Sequence, residues 1–275
     1  LNYSQIMDLY TCTECGRCSD NCPAYITGKK LSPKHLTLAI RDHLYATEKD
    51  MFGKAALVEE PSDAPAAPPK PSEGDEPIHT FPAAPEGGYF VGETVVDLVP
   101  NILHPDVIWG CTSCRACEEQ CPVMISYVDK IVGMRREEVM MKNEFPGELQ
   151  GAFNGIETNG NPWNISAMDR GDWADGLDIP LLSDKPDAEV LYWVGCAASY
   201  DDRAKKVARA VSKLLKKARV DFAILGTEET CTGDPARRAG NEYLFQMLAE
   251  QNIETLNGYE ASKKTIITAC PHCFN

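Results

Sequence analysis

The chain has 275 residues, with 41 Asp and Glu against 27 Lys and Arg and a formal net charge of -14 at pH 7. So acidic a balance disfavours nucleic-acid binding, which needs clustered Lys and Arg, and leaves either a solvated acidic surface or docking to a basic redox partner. No run of 18 or more apolar residues occurs, so nothing in the sequence as written reads as a bilayer span, and the length suits about two domains.

Residues 2–10 (NYSQIMDLY) read as a short helix that delivers the first motif. Cys12, Cys15, Cys18 and Cys22 with Pro23 spell C-x2-C-x2-C-x3-C-P, and Cys111, Cys114, Cys117 and Cys121 with Pro122 spell it again. This is the bacterial ferredoxin run for cubane [4Fe–4S] clusters, in which the fourth cysteine of each run ligates the other cluster. Cys12, Cys15, Cys18 and Cys121 are therefore expected on one cluster, and Cys111, Cys114, Cys117 and Cys22 on a second. A disulfide framework suits small secreted chains better than this one. Structural zinc ordinarily uses separated C-x2-C pairs instead of runs of four ending in Cys-Pro. Thiols needed as ligands point to a reducing compartment. Gly16 and Gly110 are expected to permit tight turns near sulfur. Arg17 and Arg115 are read as occupying equivalent positions within the quartets, either as solvated charges or as cations that raise cluster potentials.

Ser32 and Pro33 signal a helix start, and Leu36, Ala39, Ile40 and Leu44 recur at helical spacing to about Met51. His35 and His43 are placed on that helix's partly exposed surface, not among the ligands, because each quartet already supplies four thiolates. The composition then turns to Pro, Ala, Glu and Asp, which predicts a mobile surface insertion over about 54–88. That insertion argues against a compact β-rich ferredoxin and for a helical one. Val91 to Trp109 leads into the second quartet, and Val128, Ile131, Val132, Arg135 and Val139 predict a helix over 126–141. An all-α dicluster ferredoxin domain is thus expected over 1–142. A connector over 143–187 follows, with a helix from Pro146 to the Asn159-Gly160-Asn161-Pro162 turn and Trp163 and Trp173 as packed anchors.

The last part changes period. Strands are predicted at 189–194, 220–225 and 264–269. Between them lie an amphipathic helix over 201–218 bearing Val207, Val211, Leu214 and Leu215, and a second helical stretch over 235–257. This β-α-β-α-β order predicts a parallel, Rossmann-like α/β domain over 188–275, so the whole chain is expected to be α+β. Cys196, Cys231, Cys270 and Cys273 fall beyond the three strands, where open α/β sheets bind ligands. With Gly195 and Gly233 to allow close backbone approach, the four are expected to form a third metal site, an iron–sulfur cluster with zinc as the competing occupant. Cys270-Pro271-His272-Cys273 does not open a helix after a first strand, which argues against a thioredoxin-like pair.

The order of a two-cluster helical ferredoxin and a domain with Cys, Cys-x-Gly and Cys-x-x-Cys resembles the heterodisulfide-reductase-related iron–sulfur proteins. These include the iron–sulfur subunits of glycolate, lactate and anaerobic glycerol-3-phosphate dehydrogenases. CTECGRC, NGNPW, YWVGCAAS, CTGDPARRAGNEYLF and CPHCFN are most similar to the branch fused to a membrane haem-b domain, which passes electrons from electron-transferring flavoprotein to menaquinone. The resemblance implies two [4Fe–4S] clusters and a third iron–sulfur cluster, a flavoprotein donor, and a haem-b membrane domain or subunit with menaquinone. It also implies a place at the cytoplasmic face of the membrane, the sequence as written being soluble. Two departures matter. The family's Cys-Cys-Gly reads Cys231-Thr232-Gly233 here, one thiolate short of a noncubane cluster's five. A second copy of the cysteine-rich domain is also not reached. With Leu1 at its start and Asn275 two residues past the last cysteine, the sequence is expected to be part of a longer protein.

The expected role is an electron-transfer subunit of an oxidoreductase, with no catalytic residue assigned. The alternatives are a catalytic reductase of a heterodisulfide or related sulfur substrate, an iron–sulfur subunit of one of the dehydrogenases above, or a zinc-containing interaction scaffold.

Overall fold

A computed structural model describes residues 2–52, 90–91, 94–95 and 97–274, and the expected insertion at 54–88 lies outside them. The chain divides into two compact units, 1–135 and 136–275.

The first unit is helical. Helix α1 (Tyr3–Thr11) opens on a capping box in which Asn2 Oδ1 accepts from Gln5 N at 2.8 Å and Gln5 Oε1 accepts from Asn2 N at 3.0 Å, so two otherwise orphaned donors are satisfied together. Two single-turn helices, α2 (Arg17–Asp20) and α3 (Pro23–Ile26), follow the first quartet. Helix α4 (Pro33–Phe52) begins where Ser32 Oγ accepts from His35 N and meets Ser19 Oγ at 2.8 Å, which ties its first turn to α2. Leu36, Ile40, His43 and Thr47 share one face at helical spacing, and all four are buried. His43 is therefore interior, not on a partly exposed surface, because it continues the stripe that Leu36 and Ile40 begin.

Two short antiparallel strands, β1 (Phe90–Val91) with β2 (Thr94–Val95), precede a turn at Leu98–Ile102 in which Val99 is extended, and helix α5 (Pro105–Trp109). Helices α6 (Ala116–Glu119) and α7 (Tyr127–Arg136) frame the end of the second quartet, and a π-helical turn at Glu137–Lys142 continues α7. Leu9, Leu31, Leu36, Ile40, Leu103, Val107, Ile108 and Ile131 form the core of this unit. Each fully buried aliphatic side chain there contributes about 1.5–3 kcal/mol.

In the second unit, helix α8 (Gly147–Asn159) ends on Gly160 at φ 63°, the left-handed cap that favours glycine. A short 3-10 helix spans Ala167–Ala174. Strands β3 (Val190–Trp193), β4 (Phe222–Ala223) and β5 (Thr265–Thr268) form the expected parallel sheet in the order β4-β3-β5, with Leu191 opposite both Ala223 and Ile266. Segment 161–187 packs within this unit: Leu181 bridges Ile224 in parallel, and Trp173 is buried edge-on to Tyr192 at 6.2 Å. Trp163, expected as a second anchor, is 47% exposed instead.

Helices α9 (Cys196–Tyr200) and α10 (Asp202–Lys217) follow β3, and Asp201 caps α10 by accepting from Ala204 N at 2.8 Å. The buried face of α10 is built on Ala208 and Ser212 with Ala204, Val211 and Leu215 beside them, whereas Val207 and Leu214 face solvent. The single helical stretch expected over 235–257 is broken into α11 (Asp234–Arg238) and α12 (Glu242–Gly258), because Gly240 at φ 93° turns the chain and Asn241 starts a new cap. Helix α13 (Pro271–Phe274) closes the described chain. Helices dominate the whole, with one small parallel sheet, and the fold is α+β. No helix among the described residues is long and apolar enough to cross a membrane.

Candidate functional site

The cysteines gather in three sets. In the first, Cys12, Cys15 and Cys18 line one cavity together with Cys121 from the second quartet, and Lys34, Ile125 and Tyr127 complete its wall. Left-handed residues make this bend possible, with Glu14 at φ 59° and Gly16 at φ 82°. Backbone N–H groups turn inward as a result: Ile125 N donates to Cys121 Sγ at 3.4 Å, and the N–H groups of Arg17 and Ser19 donate to Cys15 and Cys18. Burial pushes the Cys18 thiol up, opposed by hydrogen bonds from Tyr127 and Ser19.

The second quartet repeats the bend, with Ser113 at φ 51° and Arg115 at φ 60°. Arg115 thus stands where the first quartet has Gly16, while Arg17 matches Ala116, so the two arginines are not equivalent. Arg115 pairs at the surface with Glu118 at 2.8 Å and Asp129 at 3.2 Å. Ser113 N donates to Cys111 Sγ at 3.3 Å. Cys22, from the first quartet, packs in the same buried cluster as Cys111, and both raise the pKa of Cys117. Burial is the larger cause there, and it pushes Cys117 up to about 12. Arg135 is buried beside this set and donates to the carbonyls of Ile108 at 2.7 Å and Cys111 at 2.6 Å. Gly110 serves a close approach, since a Cβ there would meet Asp106 O at 2.9 Å.

The third set lies at the carboxyl ends of the strands. Cys196 opens α9, Cys231 precedes α11, and Cys270 and Cys273 flank the start of α13. Cys196 hydrogen-bonds to Cys231, and Cys273 to Cys270. Donation from its partner lowers the pKa of Cys231 and of Cys270, while Cys196 and Cys273 are driven up. Gly195 is required here, because a Cβ on it would stand 3.0 Å from Cys273 Sγ. The NGNPW stretch has a local task. Buried Asn161 donates to the carbonyls of Asn159 and Ile165, which holds Gly160 O where Cys231 N donates to it at 2.9 Å. Asn252 Nδ2 donates to Cys231 O at 2.9 Å, and His272 Nδ1 meets Asp234 Oδ2 at 2.6 Å.

Buried cysteines of an ordinary core are inert apolar fillers. These thiols face one another, receive peptide N–H groups, and each set has a cation nearby: Lys34 lining the first, Arg135 and Arg170 at the second and third. That donor chemistry fits thiolate-ligated clusters, whose sulfurs are deprotonated outright on metal binding. Among the described residues no three His, Cys, Asp or Glu side chains converge on a point suited to a single metal ion. A four-iron cluster needs its thiolates set apart around a cube. Sequence reasoning missed Tyr127, Arg170 and Glu229, which carry no spacing signal and reach the thiols only through the fold, and it read Arg135 only as a helix position and Asn161 only as part of a turn.

The family model for a 4Fe-4S dicluster domain matches residues 8–125, and that for a cysteine-rich domain matches residues 190–275. The EtfAB:quinone oxidoreductase of Syntrophomonas wolfei is 42% identical over 277 residues, covering 98% of this chain and 36% of the relative. The probable iron-sulfur-binding oxidoreductase FadF of Bacillus subtilis is 41% identical over 284 residues, covering 99% of this chain and 39% of the relative. A component of the dihydromethanophenazine:CoB–CoM heterodisulfide reductase of Methanosarcina acetivorans is 28% identical over 280 residues, covering 98% of this chain and 57% of the relative. The chain therefore spans well under two thirds of these proteins. No solved structure matches it significantly.

Proposed function

The chain belongs to the heterodisulfide-reductase-related iron–sulfur oxidoreductases, with a 4Fe–4S dicluster domain followed by a cysteine-rich domain, and on that premise we propose that it relays single electrons between a flavoprotein donor and a quinone or haem-b pathway at a membrane. Cys12, Cys15, Cys18 and Cys121 would hold one [4Fe–4S] cluster, Cys111, Cys114, Cys117 and Cys22 a second, and Cys196, Cys231, Cys270 and Cys273 a third. Such clusters, when bound, supply reversible one-electron chemistry. The observation that carries this reading is that Cys121 joins the first quartet's thiols around one cavity.

The chain's own residues then have defined tasks. Four thiolates in each set leave no vacant iron position for a substrate in an all-cysteine cubane. The inward N–H groups and the cations beside each set offset the thiolate charge, and burial limits water access; both are levers on reduction potential. Tyr127, buried against Cys18, donates to that sulfur without offering a proton near neutrality, since burial holds its phenol far above the usual range. Relatives named a quinone oxidoreductase and a probable membrane-anchored ferredoxin support the proposed surroundings.

Anaerobic purification of the chain, with iron and zinc analysis and electron paramagnetic resonance, tests the proposal. About twelve irons per chain with cubane signals support the relay. A noncubane signal that responds to a disulfide would replace it with a sulfur-substrate reductase, and zinc in the cysteine-rich domain would remove the third cluster.

A further inference from the structure

Arg170 and Glu229 form an ion pair at 2.8 Å with both side chains 2% exposed. A buried pair of this kind is seldom more stabilising than apolar side chains of the same volume, so stability alone does not account for it. Its geometry is directional. Arg170 Nη2 donates to Glu229 Oε1 and lies 3.5 Å from Cys196 Sγ, and Nη1 lies 3.4 Å from Gly160 O. The buried Nε of Arg170 has no hydrogen-bond partner among the described residues. Glu229 also accepts from Gly195 N at 2.8 Å through the same Oε1, and from Val194 N at 2.9 Å through Oε2. The carboxylate thus fixes the peptides just before Cys196, and the guanidinium sits against the sulfur itself.

We propose that Arg170 and Glu229 are positioning residues of the third thiol set, which hold a fixed positive charge against Cys196 and thereby set the reduction potential of a cluster bound there. The proposal rests on the third set holding a cluster, as argued above. Reduction adds one negative charge to the site, so the nearby guanidinium favours the reduced state, and Glu229 offsets part of that effect while aiming it. Neither residue gives up a proton or forms a bond.

The two halves of the pair have opposite signs, which separates tuning from mere structural support. Redox titration followed by electron paramagnetic resonance on the anaerobically loaded chain reads it, with the dicluster signals as internal controls. Arg170→Gln is expected to weaken reduction of the third cluster about tenfold, a downward shift of about 59 mV for one electron, and Arg170→Lys by less. Glu229→Gln should shift the same potential upward, because Arg170 is then unbalanced. The first two potentials should stay in place. Unchanged third-site potentials, shifts of one sign for Arg170→Gln and Glu229→Gln, or loss of the third site's iron in all three variants would overturn the proposal. Absence of a third cluster in the unmodified chain would instead fail the relay reading, and this inference with it.

Discussion

Gly16 and Gly195 both carry φ 82°, and they differ in what stands beside them: nothing lies within 4 Å of a Cβ on Gly16, whereas one on Gly195 meets Cys273 Sγ at 3.0 Å and Cys270 Cβ at 3.4 Å. Gly16→Ala is therefore expected to cost only backbone strain, about 1–2 kcal/mol, and to leave iron loading intact. Gly195→Ala should displace Cys273 and remove about four irons per chain; third-site iron retained in that variant would contradict the close approach. His43 offers a different test. Burial holds its pKa below the usual value, so the unfolded chain binds the extra proton first as pH falls through about 6.5. Its contribution to stability is present above that pH and is lost as pH falls through the lower, folded value. In urea unfolding at about pH 7 and about pH 5.5, His43→Leu should narrow the difference that the unmodified chain shows. An equal difference in both would refute the assignment. At this scale the first eight cysteines stand out in the sequence by the spacing of their two runs, and the last four by their places after three strands. Arg170 and Glu229 do not, since they meet from positions 59 residues apart and neither neighbourhood has a pattern that marks it.

Helix α10 shows where reading apolar residues by type misleads at the scale of an element. Val207 and Leu214 are 50% and 66% exposed, while Ala208 is fully buried. Small residues at Ala204, Ala208 and Ser212 let this helix lie close to its neighbours, and hydrophobic size says little about which face does so. Ala208→Leu is accordingly expected to destabilise by about 1–3 kcal/mol through overpacking, and Leu214→Ala to stay within about 0.5 kcal/mol. Denaturation midpoints decide it, and a larger loss from Leu214→Ala would reverse the face assignment. Helix α4 was legible from its Ser-Pro start and its Leu36–Ile40 stripe, and the parallel sheet from three short apolar runs. The break before α12 was less so, because Gly240 reads as a tolerated helix glycine until its left-handed φ is known.

At the scale of the whole molecule, the chain matches only 36% and 39% of the length of its relatives at 42% and 41% identity, and its donor, acceptor and membrane setting are proposals about a larger assembly. What the chain itself carries is a cation beside each cysteine set of an acidic protein. Although the net charge is -14, Lys34, Arg135 and Arg170 are placed at the three sets. The crossing of the two quartets is the central claim; the Cys-Pro runs suggest it, because a ferredoxin run lends its last cysteine to the other cluster, and the place of Cys121 beside Cys12, Cys15 and Cys18 supports it. Single serine variants of Cys12, Cys121, Cys111 and Cys22, compared by electron paramagnetic resonance of the reduced, anaerobic chain, test it most directly. Cys12→Ser and Cys121→Ser should disturb one and the same cluster signal, and Cys111→Ser and Cys22→Ser the other. If Cys121→Ser instead disturbs the signal that Cys111→Ser does, each quartet holds its own cluster and the crossed arrangement is wrong.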